Sequence, residues 1–155
     1  MNVTGLRAGA LTEAQLAAWG ERIGAAIATP SFFALRGDLG AGKSVLARAI
    51  ARGAGVTTAM PSPTFNLVFR YSARDDVEVV HMDLYRLERP DDVWALGWSE
   101  LGHENEIVLV EWPERAGELL PPDRWDVALE YTSAECRSVS ATPVGSVQPL
   151  PEPAG

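Results

Sequence analysis

The chain has 155 residues, 46% of them apolar and 22% charged, with a net charge of −8: enough for one domain around one core, and too apolar for wholesale disorder. No run approaches the ~18 apolar residues of a membrane span, residues 1–10 lack the basic-then-apolar pattern of a secretory signal, and one cysteine with two histidines allows neither an internal disulfide framework nor a Cys/His zinc site. The charge is uneven, with six basic and three acidic residues over 1–60 against seven and eighteen over 61–155, so the second part would repel nucleic acid, whose binding rests on Lys and Arg. A reducing cytoplasm is the expected compartment.

In chain order, residues 11–28 predict an amphipathic helix, with Leu16, Trp19, Ile23 and Ile27 at helical spacing. Thr12 followed by Gln15 forms a capping box, and Thr29-Pro30 stops the helix. The apolar run 32–35, bounded by Pro30 and Gly37, suits a strand buried on both faces. After a glycine-rich turn, residues 44–52 predict a second helix ended by Gly53 and Gly55. Pro61-Ser62-Pro63 is a loop. Residues 65–71 alternate as a half-exposed strand and 77–83 form another; the short link between them forces an antiparallel hairpin. Residues 91–101 predict a helix, and 107–110 a central parallel strand. Residues 125–131 and 136–141 form a second hairpin. From Pro143 the composition predicts a disordered tail, so that 1–142 is one domain and 143–155 its appendage.

Gly37-Asp38-Leu39-Gly40-Ala41-Gly42-Lys43-Ser44 matches G-x-x-x-x-G-K-[ST], the phosphate-binding loop. Glycines let successive N–H groups turn around a phosphate, and the following helix aims its positive end at the same anion. Lys43 is the only lysine among thirteen basic residues; it would reach the β- and γ-phosphate oxygens, while the Ser44 hydroxyl would bind Mg²⁺. Such a loop also needs a carboxylate from another strand. Asp83 closes the strand 77–83 and Glu111 the strand 107–110, both at the carboxyl edge where open α/β sheets bind ligands, and spacing does not decide between them as the direct metal ligand. His81 could contact the site, although a residue in its place on a half-buried strand is more often simply packed. Trp112-Pro113 either walls the site or caps the core, and Thr64 either belongs to a switch loop or begins a strand.

GDLGAGKS at 37–44, SPTFNLV at 62–68 with Tyr71, HMDLYRL at 81–87 and LVEWP at 109–113 resemble the TsaE family in order and spacing. The resemblance covers roughly 20–131. It implies a single P-loop NTPase-like α/β domain, with a central mixed, mainly parallel sheet flanked by helices. It implies ATP with Mg²⁺ on residues 40–45, and Ser44 with one or both of Asp83 and Glu111 at the metal. Glu111 would be needed for hydrolysis, Trp112 would lie beside it, and Ser62, Pro63 and Thr64 would belong to a switch loop. It further implies a slow ATPase that acts on the partners TsaD and TsaB, which modify tRNA, without transferring the threonylcarbamoyl group itself; tRNA would be met only through that complex, and no membrane is involved. Thr12 could approach the adenine. The family usually has two threonines after the lysine; Ser44 keeps the metal-binding hydroxyl, whereas Val45 loses a hydroxyl that would touch the α-phosphate. Other classes compatible with a phosphate loop are a small-molecule kinase, for which only Arg86 and Arg89 could furnish a lid, and a nucleotide-gated binding module with incidental hydrolysis.

Overall fold

The computed structural model describes residues 3–60 and 67–153; Ser62, Pro63 and Thr64 of the expected switch loop lie outside them. The chain begins with strand β1 (Leu6–Thr12) and passes directly into helix α1 (Glu13–Ala26). Strand β2 (Ser31–Gly37) and helix α2 (Lys43–Gly53) flank the glycine-rich turn, and β3 (Val68–Ser72) and β4 (Glu78–Asp83) form the antiparallel hairpin. Then come β5 (Glu106–Glu111), β6 (Arg124–Tyr131) and β7 (Cys136–Val144).

The seven strands make one sheet in the order β1-β7-β6-β2-β5-β4-β3. β2 lies parallel to both β5 and β6, and β5 parallel to β4. The three outer pairings are antiparallel, so the sheet is mixed but not mainly parallel. The reason is loop length: the links 73–77 and 132–135 are too short for crossovers and can only reverse direction.

The sheet separates two apolar layers. On one face Phe33, Leu35, Val79, Leu109 and Val127 pack against Leu16, Trp19 and Ile23 of α1 and Leu46 and Ile50 of α2. On the other, Phe32, Val80, Met82, Val108 and Val110 pack against Leu84, Val93, Trp98 and Ala116. Residues 107–110 alternate between these layers with no exposure at all, which is why a continuous apolar run there is a strand and not an amphipathic one.

α1 and α2 touch backbone to backbone. A Cβ added at Gly24 would stand 1.9 Å from the Ile50 carbonyl oxygen, and one at Gly53 would stand 2.1 Å from that of Glu21. Neither obstacle is a flexible side-chain end. Gly24→Ala must therefore push the helices apart and is expected to cost about 1–3 kcal/mol, a fall in Tm of about 2–12 °C for a chain of this size; an unchanged melting curve by circular dichroism would show that the helices give way freely.

Three expectations need correction. Residues 11–28 do not all belong to a helix: Leu11 and Thr12 end β1, an edge strand whose pattern is mostly exposed and which contains Gly9, so periodicity carries no mark of it. The segment 91–101 is two 3-10 helices, Pro90–Leu96 and Trp98–Glu100, separated by Gly97 at φ 82°. And the segment after Pro143 is packed as far as Pro153. β7 continues to Val144. The indole N–H groups of Trp19 and Trp125 donate to the carbonyls of Pro151 (2.7 Å) and Gln148 (2.8 Å). The Gln148 side chain closes the end of α1, donating to Ala26 O at 2.9 Å and accepting from Ala28 N at 2.7 Å. Buried indole nitrogens and a helix terminus both need partners, and the Pro/Gly-rich segment supplies them.

Candidate active site

The loop between β2 and α2 owes its course to glycine. Gly40 (φ 82°) and Gly42 (φ 109°) adopt left-handed angles, and a Cβ on Gly42 would meet Leu16 Cδ2 at 2.8 Å. Gly42 is also the N-cap of α2 and supplies no side-chain cap, so the first-turn amides of this helix have no intrahelical acceptor and present a positive end to solvent. Asp38, Leu39 and Gly40 are exposed at the loop tip, whereas Ala41 is buried. At the end of β6, Tyr131 donates its hydroxyl to the Gly40 carbonyl.

Lys43 folds back over the loop. Its Nζ donates to Gly37 O (2.6 Å) and Asp38 O (2.8 Å) and stands 4.5 Å from the Trp112 ring centroid. Burial pushes the Lys43 ammonium below its usual pKa, opposed by the charges of Glu111, Asp83, Glu114 and Asp38. Trp112 itself sits at φ 55°, turned against Tyr85 at 4.9 Å; it walls the lysine.

Glu111 and Asp83 end adjacent parallel strands in direct register, beside Leu35 of β2. Their surroundings differ. The Ser44 hydroxyl bonds both Glu111 oxygens, at 2.9 and 3.0 Å, and His81 Nε2 lies 2.5 Å from Glu111 Oε2. Both His81 and Glu111 are buried. Asp83 is half-buried and its Oδ1 accepts from Tyr85 N at 3.0 Å. Burial raises the Asp83 pKa; the Tyr85 amide lowers it, and the neighbouring Glu111 charge raises it further. Spacing left the two acids equivalent, and here Glu111 is the one joined to Ser44.

A carboxyl whose pKa is raised in the fold favours folding at pH values below its unfolded pKa and loses that contribution as pH climbs through the folded pKa. Ionised Asp83 beside Glu111 therefore weakens the fold at neutral pH. Asp83→Asn, which keeps an acceptor for Tyr85 N, is expected to raise Tm by a few degrees near pH 7.5, with the gap closing as pH falls toward the ordinary carboxylate range of about 4; a lower Tm for the variant at neutral pH would contradict this assignment.

The other expected residues are placed as follows. Thr12 caps α1, accepting from Gln15 N at 3.2 Å while its own N–H donates to Gln15 Oε1 at 2.9 Å, so its hydroxyl is engaged in the capping box. Val45 is half-buried against the α1–α2 core layer. His81, for which the sequence allowed both packing and contact with the site, is buried and contacts Glu111. Tyr131 was not singled out at all; its signal is the alternation along β6, which puts it on the same face as Leu129 and at the loop end of the strand.

The model of the family "Threonylcarbamoyl adenosine biosynthesis protein TsaE" matches residues 10–139, a span that contains every one of these groups. The chain belongs to the TsaE family. The chain is 36% identical over 127 residues to the Bacillus subtilis tRNA threonylcarbamoyladenosine biosynthesis protein TsaE, covering 81% of this chain and 78% of that one. It is 32% identical to the protein of that name from Treponema pallidum, over 80% and 90% of the two chains. With the Rickettsia conorii protein it shares 42% identity, over 62% of this chain and 54% of the relative. In three dimensions it resembles the crystal structure of Bacillus subtilis YdiB, with a TM-score of 0.75 and 27% identity over 94% and 89% of the chains. A mixed α/β architecture of one seven-stranded sheet flanked by helices is thus what this TsaE-family chain adopts.

Proposed function

We propose that this TsaE-family chain is a Mg²⁺-dependent P-loop ATPase of tRNA threonylcarbamoyladenosine formation, slow by itself and acting on a TsaB–TsaD complex without carrying out the transfer. The observation that carries the reading is the Ser44–Glu111–His81 chain of hydrogen bonds standing beside a glycine loop closed by a buried lysine. ATP would lie along residues 38–45, the loop and α2 amides facing its phosphates.

A hydroxyl and a carboxylate within 3.0 Å of each other are hard oxygen donors of the type Mg²⁺ takes alongside water and phosphate oxygens. Ser44 and Glu111 would hold it, with Asp83 adjacent, and its chemistry there is neutralisation of charge on the phosphate oxygens.

The protein's own groups then have separable tasks. Lys43 exchanges the Gly37 and Asp38 carbonyls for the β- and γ-phosphate oxygens, where its charge offsets what develops as the terminal P–O bond breaks. His81 holds the Glu111 carboxylate at Ser44. Asp83, with its raised pKa, accepts a hydrogen bond from the attacking water; the water oxygen bonds to the γ-phosphorus, ADP leaves, and the released proton passes through Asp83 to solvent. The acidic second part of the chain supports contact with tRNA only through the partner complex, and a cytoplasmic setting follows from that substrate.

The test is phosphate release from ATP and Mg²⁺ by the purified chain, alone and with TsaB and TsaD, together with restoration of threonylcarbamoyladenosine in cells depleted of their own TsaE. Both should be positive. Absence of phosphate release in either mixture would overturn the ATPase reading, and absence of restoration would overturn the role in tRNA modification.

A further inference from the structure

Strand β6 runs parallel to β2 but does not stop with it. Gly37, where β2 ends, stands in register with Leu129, and β6 continues to Tyr131. Two further residues carry it about 7 Å past the point where the glycine loop leaves β2. Alternation returns Tyr131 to the face of Leu129, whose side chain lies beside the Cβ positions of Gly37 and Gly42. The phenol thus reaches the loop, and its hydroxyl donates to the Gly40 carbonyl. The ring is braced across the hairpin: Tyr131 pairs with Arg137 of β7, whose guanidinium rests 5.4 Å from the ring centroid.

One peptide unit links this hydroxyl to the lysine. The Gly40–Ala41 peptide is planar and trans, so fixing its carbonyl also fixes its N–H. That N–H donates to Asp38 O at 3.0 Å, and the same Asp38 O accepts from Lys43 Nζ at 2.8 Å. Tyr131 and Lys43 therefore hold one and the same turn. Asp38, Leu39 and Gly40 are exposed, so core packing does not keep the tip in shape. Once Lys43 leaves Gly37 and Asp38 for phosphate oxygens, the bonds at Gly40 O and Ala41 N are left to keep the turn closed.

We propose that Tyr131 is a positioning residue of the phosphate site: its hydroxyl keeps the Gly40–Ala41 peptide in place, so that the loop holds its course when Lys43 turns to the ligand. The inference rests on the ATPase reading above and adds the group that preforms its loop. Tyr131 touches no reacting atom. It acts through the loop, by removing an ordering cost that a looser tip would meet on binding.

The experiment compares the parent chain with Tyr131→Phe, which removes the hydroxyl and keeps the ring against Arg137. Binding of ATP, ADP and inorganic tripolyphosphate, each with Mg²⁺, is measured by titration calorimetry, and kcat and KM by phosphate release. We expect all three ligands to weaken alike by about three- to tenfold, the scale of one net hydrogen bond. KM should rise while kcat stays within about twofold of the parent. Amide hydrogen exchange over residues 39–42 of the ligand-free variant should quicken, with exchange in β5 as in the parent; unchanged exchange at the tip would contradict the proposal. A merely structural role would lower Tm and leave the affinities and KM of the folded protein as they were, and that result would overturn it. So would weakened ATP and ADP with tripolyphosphate spared, which would make Tyr131 a nucleoside contact, or a fall in kcat at unchanged KM. A parent chain that binds all three ligands but releases no phosphate would overturn the ATPase reading and leave the affinities to decide on Tyr131; a parent chain that binds none would overturn both.

Discussion

Glu111→Gln is expected to bind ATP within a few-fold of the parent affinity and to release phosphate at least about a hundredfold more slowly, the usual scale for losing one preorganised charged group in a closed site. Glutamine is nearly isosteric, so its carbonyl oxygen still accepts from Ser44 Oγ and the side chain still fills the end of β5. What disappears is the charge. His81 Nε2 then faces a neutral amide where a carboxylate stood, and the pair of hard oxygens at Ser44 falls to one neutral acceptor. Binding survives because the loop amides and Lys43 are untouched. The separation is read by comparing nucleotide titration with phosphate release on the same sample. Hydrolysis within tenfold of the parent would transfer the decisive role to Asp83.

That prediction depends on a distinction the sequence could not make. Asp83 and Glu111 each close an apolar strand, and both strands end at the same sheet edge in direct register. Strand pattern thus predicts both acids at the site but is blind to side-chain direction, and only the 2.9 and 3.0 Å contacts from Ser44 separate them. His81 illustrates the same limit: alternation puts it on the α2 side of β4, two residues before Asp83, and nothing in a period of two says whether an imidazole on that face meets aliphatic carbon or a carboxylate. Tyr131 is harder still to read, because its partner, the Gly40 carbonyl, lies 91 positions earlier on the loop.

The fold was legible where burial is symmetric and links are short. Residues 107–110 are apolar throughout because both faces of β5 are covered, and both hairpins follow from the length of their connections. β1 was invisible because an edge strand with one covered face and a glycine in it has neither a continuous run nor clean alternation. The packed end of the chain was missed for a different reason. Proline and glycine report backbone stiffness and freedom, whereas the order of residues 145–153 comes from the needs of distant groups: two indole N–H donors and the carboxyl end of α1.

Lys43→Ala is expected to reduce ATP and ADP affinity by about a hundredfold or more, close to 2.7 kcal/mol at room temperature, with the fold retained. The size follows from the lysine's position. Its ammonium is buried against two carbonyls and the Trp112 ring, in surroundings that push its pKa down; a phosphate reaching that point meets a charge already stripped of most of its water, where electrostatic attraction is least screened. The fold should survive because α2 is anchored by Leu46 and Ile50, which lie in the core layer against α1 and the sheet, while the carbonyls of Gly37 and Asp38 stand at the loop surface where water can replace Nζ. The sign of the pH effect is also set. A base whose pKa is lowered in the fold costs stability while the pH is below its folded pKa, and that cost fades as the pH rises toward the unfolded value. Any gain in Tm from Lys43→Ala is therefore largest at neutral pH and shrinks in alkali. Parental affinity for ADP in a folded Lys43→Ala protein would mean that the loop binds phosphate through its amides alone and that the only lysine of the chain has another task.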